Sequence, residues 1–187
     1  KASSGGGGVW NLIETLTASS SGDLSFTSGI DSTYDEYVFK FNNTHPGTSN
    51  AKFTFQTSTD TGSSYGVVLT STFFRALHSE DNSVATVDYD TGDDLAQSTS
   101  YQIISSAVSN DNDASTSGYL NLFAPSDTTF VKHYILRTNC LAYTGEDYSG
   151  DIYSAGYFNT TSAVDAVQFK YSSGNIDAGT ISMYGIT

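Results

Sequence analysis

The chain of 187 residues carries 20 acidic against seven basic side chains, a formal charge of −13. A protein of that sign is repelled by nucleic-acid phosphates and by anionic lipid surfaces, and no stretch approaches the roughly 20 apolar residues of a membrane-spanning helix. Charged residues are only 14% of the chain while Tyr and Phe number 13 and 11, which excludes disorder and leaves a folded, soluble, single-domain protein as the expectation.

Residues 1–8 form a Gly/Ser-rich leader that buries nothing and is expected to be a flexible arm when free. The opening KASSGGGGVW lacks the basic-then-apolar pattern of a secretory signal, and the lone Cys140 rules out an internal disulfide framework. From Val9 onward, short runs rich in Tyr, Phe, Val, Ile and Thr alternate with clusters of Gly, Ser, Asn and Asp. This is the pattern of antiparallel strands and turns.

The predicted strands, in chain order, are 9–17, 23–28, 34–42, 51–57, 66–77, 118–124, 129–143, 151–159, 163–172 and 178–186. In YDEYVFKFN, the side chains of Tyr37, Phe39 and Phe41 fall on one face and those of Glu36, Val38 and Lys40 on the other, a strand with one buried face. Residues 93–109 are ambiguous. There Leu95, Tyr101, Ile104 and Val108 suit a helix face, and Ile103 with Ile104 suits a strand equally well. Ten strand runs in one domain predict an all-β antiparallel two-sheet β-sandwich over residues 9–187.

Few groups carry catalytic signals. GSSYG at 62–66 fits the G-x-S-x-G pattern around Ser64, but it lies between two strand runs and reads as a hairpin loop. His45, His78 and His133 occupy unrelated settings with no metal-ligand spacing. The chain is therefore expected not to be an enzyme and to need no cofactor. VDYDTGDD offers Asp88, Asp90, Asp93 and Asp94 around Gly92, the start of a calcium-loop spacing without its distal glutamate. Solvated turn carboxylates are the simpler reading of these four; if a cation binds, calcium is the ion expected. SNDNDAS, with Asp111 and Asp113, is a second acidic turn. Trp10, Tyr143, Tyr148, Tyr153 and Tyr157 are candidate stacking platforms for a carbohydrate. A surface poor in Lys and Glu and rich in Tyr, Thr, Ser and Asn loses little side-chain entropy on contact, which suits permanent assembly.

The stretch YFNTTSAVDAVQFKYSSGNIDAGTISMYGI at 157–186 resembles the final strand pair of virion proteins from tailed bacteriophages, marine phages in particular. WNLIETLTAS, GIDSTYDEYVFKFNNTHP, LFAPSDTTFVKHY and AGYFNTT extend the likeness over nearly the whole chain from Val9. The resemblance implies a jelly-roll fold and a non-enzymatic structural protein on the virion exterior. Its partners would be other virion proteins, a major capsid protein or tail and fibre proteins, and copies of itself, a trimer by analogy. A capsid decoration or cement protein is the leading expectation, with an attachment arm spanning Gly5, Gly6, Gly7, Gly8, Val9 and Trp10. A fibre tip reading a host-surface glycan, or a carbohydrate-binding module using Tyr148, Tyr153 and Tyr157, is the alternative.

Overall fold

The structure, a computed structural model, describes residues 9–187 apart from Thr144 and Glu146. Among the described residues there is no helix, and twelve strands follow one another: β1 (Trp10–Thr17), β2 (Leu24–Phe26), β3 (Glu36–Pro46), β4 (Ala51–Ser58), β5 (Leu69–Ser79), β6 (Ala85–Tyr89), β7 (Gln102–Val108), β8 (Thr116–Phe123), β9 (Lys132–Tyr143), β10 (Asp147–Phe158), β11 (Ala166–Tyr171) and β12 (Ile176–Ile186). All ten predicted runs form strands. The ambiguous segment divides: 93–101 is irregular, and 102–108 is β7, so the helix face through Leu95 and Tyr101 does not form. β6 was not predicted, because it pairs with β5 alone and its residues are nearly all exposed. An edge strand of that kind needs no apolar face and leaves no apolar signal.

Every pairing is antiparallel, along the order β1-β12-β3-β8-β9-β7-β4-β11-β2, with β10, β5 and β6 continuing from the other side of β9. The sheet thus has a large limb, β1-β12-β3-β8-β9-β10-β5-β6, and a small limb, β7-β4-β11-β2. The limbs meet through the Val108–Ala142 pair on one side, and on the other the chain passes from β1 to β2 through Ser21, which bridges Ile176 at the start of β12, so that the sheet is nearly closed. Two expected hairpins are absent: β4 and β5, which flank GSSYG, do not pair, and β11 and β12 belong to different limbs. The turn at Gly174 therefore crosses between limbs. Its φ is 69°, and a Cβ there would lie 2.1 Å from Thr48 Oγ1.

The limbs enclose a core of rings. Phe39 and Phe41 on β3 meet Phe169 on β11 at 5.4 and 5.2 Å between ring centroids, Phe41 meets Phe53 on β4 at 5.4 Å, and Phe55 meets Tyr134 on β9 at 5.1 Å. Most are edge-to-face, the geometry that the ring quadrupole favours. Val38 departs from the expectation for β3. It lies on the outward face yet is 1% exposed, level with Tyr184 on β12 and Asn121 on β8.

The two outer faces differ. That of the small limb is covered by the segment leading into β7: Gln56 Nε2 donates to the carbonyls of Thr99 and Ser100, Lys52 Nζ reaches both oxygens of buried Asp93 at 2.6 and 2.7 Å, and Tyr101 lies 3.9 Å beneath Lys170 Nζ. No described segment covers the corresponding face of the large limb in this way, and its side chains Phe74, Tyr119, Ile135 and Arg137 are exposed.

Candidate functional site

Ser64 is fixed in a turn. Its hydroxyl donates to Asp60 Oδ2 at 2.6 Å, and its backbone N–H donates to Oδ1 at 2.9 Å. Hydrogen bonds from Ser58 and Ser64 hold the Asp60 carboxyl at a pKa of about 2. A group of such low proton affinity is the opposite of the base that a nucleophilic serine needs. The histidines stand apart: His45 Nδ1 lies 2.6 Å from the Ala114 carbonyl, His133 is beside Tyr157 on β9, and His78 is on β5.

The four aspartates of the calcium-like loop are drawn to three different partners. Asp88 and Asp90 approach Arg75 at 3.3 and 2.8 Å, Asp93 pairs with Lys52, and Asp94 Oδ2 accepts from Tyr89 Oη at 2.5 Å. Among the described residues no group of three or more His, Cys, Asp or Glu is placed to hold a metal ion. Asp111 accepts from Ser109 within its own turn.

Gly5 to Gly8 of the expected arm lie outside the described residues, and Val9 and Trp10 are 57% and 51% exposed at the start of β1. Trp10 packs edge-on against Tyr184 at 5.5 Å with Lys40 Nζ over its ring. The three carbohydrate tyrosines are not brought together. Tyr148 falls on the opposite face of β10 from Tyr153 and packs against the cluster of Val108, Ala114, Cys140 and Ala142. Tyr157 shares a face with Tyr153 but lies four residues along the strand, about 13 Å away.

Strand register assembles something else on the open face of the large limb. Tyr119 on β8 is opposite Arg137 on β9, Arg137 opposite Tyr153 on β10, Tyr153 opposite Phe74 on β5, and Phe74 opposite Tyr89 on β6. These five side chains form a ridge across five adjacent strands. Phe74 and Tyr153 stack at 4.9 Å with planes 2° apart, and the Arg137 guanidinium carbon lies 4.9 Å over the Tyr153 ring. Arg137 is locked from below. Its Nε and Nη2 donate to the two oxygens of Asp151 at 2.9 and 2.7 Å, and Tyr153 Oη donates to the same carboxylate, which these bonds hold below the usual carboxylate range.

Beside the ridge runs a trough. Its floor is the next row of the register, the short side chains of Ser117, Asn139, Asp151 and Ala76, ending at the exposed Val87 on β6. Two shallow clefts along that row share Asp151: one of about 370 Å³ touches Tyr119, Arg137 and Asn139, and the other touches Ala76, His78 and Val87.

Of this constellation the sequence reading named only Tyr153. Adjacent Phe73 and Phe74 did carry a signal, since neighbours on a strand face opposite ways and one ring must point outward. The stack itself is testable. Phe74→Ala, Tyr153→Ala and the double variant, compared by thermal denaturation, should show a coupling of about 1 kcal/mol between the two rings. Additive losses would mean that the stack contributes nothing beyond burial.

Compared with protein families, curated proteins and solved structures, the chain matches none.

Proposed function

We propose that this protein is a non-enzymatic protein of the exterior of a tailed-phage virion, and that the open face of the large limb is where it holds its neighbours. The leading role is capsid decoration. In this reading the two limbs are the layers of a jelly-roll sandwich, and the copies form a small homo-oligomer, a trimer by analogy, on a major capsid protein. The resemblance over most of the chain supports the virion setting. One observation carries the contact surface: an exposed ridge of four aromatic rings and one arginine crosses five strands, while the matching face of the small limb is covered.

The physical logic is that of an interface. Aromatic rings and arginine are the side chains that interface cores enrich, and here they are held rigid before any partner arrives. Among the described residues the cations are already engaged. Lys52, Arg75 and Arg137 are on carboxylates, Lys40 and Lys170 are on rings, and Lys132 is on the carbonyls of Phe130 and Thr160. Attachment then rests on shape and ring contact, repeated at many sites.

Cryo-electron microscopy of particles containing the protein tests this. Many symmetry-related copies on the shell, each with Phe74 and Tyr153 against a neighbour, are the expected result. A few copies at a tail or fibre tip would replace decoration by receptor binding, and absence from particles would end the virion reading.

A further inference from the structure

We propose that the trough beside the ridge is a binding site for a neutral saccharide chain. This rests on the open face of the large limb being the contact surface, and it names what else that surface holds. The trough crosses β8, β9, β10, β5 and β6, four strand spacings or about 19 Å. Across its width it lies between the ridge and the row Leu141, Ser149 and His78, about 13 Å apart. It is longer than it is wide, which suits a single extended chain.

Its chemistry is divided. One wall carries the rings of Tyr119, Tyr153, Phe74 and Tyr89, and the floor is polar over β8, β9 and β10, from Ser117, Asn139 and Asp151, and apolar over β5 and β6, from Ala76 and Val87. A pyranose ring presents the same two kinds of surface, C–H groups on its faces for the apolar end of the floor and hydroxyls at its edges for the polar end. The floor is held before the ligand comes. Asn139 Nδ2 donates to the Gly150 carbonyl at 3.1 Å and reaches Ser149 Oγ at 3.3 Å, and among the described residues its Oδ1 accepts no hydrogen bond. That oxygen is free to accept from a sugar hydroxyl.

Charge selects the class of saccharide. The two ionised groups at the centre of the trough, Arg137 and Asp151, cancel each other in a two-point pair. Asp94, at the end of the ridge, is occupied by Tyr89 Oη. Among the described residues no unpaired lysine or arginine faces the trough to hold a uronate or sulfate, and the net charge of −13 repels anionic polymers from a distance. A basic peptide finds no free carboxylate among the described residues of the trough either.

The test is isothermal titration of the full chain with hexasaccharides of β-1,4-glucose, α-1,4-glucose, β-1,4-xylose, β-1,4-mannose and β-1,4-N-acetylglucosamine, with oligogalacturonate as the anionic comparison. At least one neutral hexamer is expected to bind in the micromolar to millimolar range, more tightly than its trimer, and oligogalacturonate is not. Asn139→Ala, an exposed change that leaves the fold intact, should weaken binding about tenfold, and Tyr153→Ala at least as much. No binding by any neutral hexamer, or binding that both variants leave unchanged, overturns the proposal. Occupancy of Tyr153→Ala on particles separates the two ideas. If occupancy falls while no saccharide binds, the contact face stands and the saccharide site does not; if occupancy is kept while the trough binds sugar, the contact reading fails.

Discussion

Phe169→Ala should lower the melting temperature by roughly 10 °C, the largest single loss available in this core. Phe169 is fully buried on β11, and its ring lies within 6.3 Å, centroid to centroid, of Phe26, Phe39, Phe41, Phe53 and Phe55. Those five rings come from β2, β3 and β4, so one side chain joins the small limb to the large. Truncation removes its transfer free energy and leaves a cavity walled by rings on separate strands, which cannot close in without moving backbone. Losses of about 3 to 5 kcal/mol are usual for such a change. Phe74→Ala is the control, since an exposed ring on the same fold should cost about 1 kcal/mol or less. Calorimetry of both decides it: a Phe169 variant that melts within a degree or two of the control would mean that the limbs are not joined through this ring.

Alkali should unfold the protein between about pH 10 and pH 12. Burial pushes the Cys140 thiol up to about 12 and the Tyr171 hydroxyl up to about 12, and raises Tyr134 further. In the unfolded chain a thiol ionises near pH 9 and a phenol near pH 10. The folded state therefore keeps protons that the unfolded state releases. The stability these groups contribute is complete below about pH 9 and falls as pH rises towards 12, by as much as roughly 4 kcal/mol for the thiol and 3 kcal/mol for Tyr171. Lys132 acts with the opposite sign, because burial lowers its ammonium and deprotonation on raising the pH relieves that cost. Tyrosinate absorbance and far-ultraviolet circular dichroism should change together, and Cys140→Ala should move the midpoint to higher pH. Tyrosines that ionise fully while the strands persist would show that these rings are open to solvent.

The strands were legible because their alternation is strong. β9 is the clearest case: Lys132, Tyr134, Leu136, Thr138 and Cys140 are buried, while His133, Ile135, Arg137 and Asn139 are exposed. Parity along one strand also fixes which residues face outward. It does not say which strands are neighbours. Arg137 meets Asp151 across the β9–β10 turn, within reach of hairpin counting, but Tyr119, Phe74 and Tyr89 join that row only through the order of the sheet. The ridge was therefore invisible one strand at a time. The acidic loop failed differently: its spacing was local, but Lys52 and Arg75, which claim three of its four carboxylates, come from β4 and β5. Tyr148 and Tyr153 show the plainest omission, since a separation of five along one strand places them on opposite faces.

The pairing of β1 with β12 sets the order in which the molecule can be made. Trp10 is opposite Ile186 and Thr17 opposite Thr180, so β1 has no partner until β12 has left the ribosome. The β8–β9–β10 meander and the β5–β6 hairpin can pair early, being close in sequence, while β3 must wait for β8 and β1 for β12. Closing contacts of such sequence separation costs loop entropy before it returns any stabilisation, which makes folding slow and leaves the β1–β12 pairing among its last steps. β1 remains an edge strand once it has paired, so Val9, Trp10 and Leu12 are still exposed in the folded protein, and until β12 arrives both edges of β1 are open.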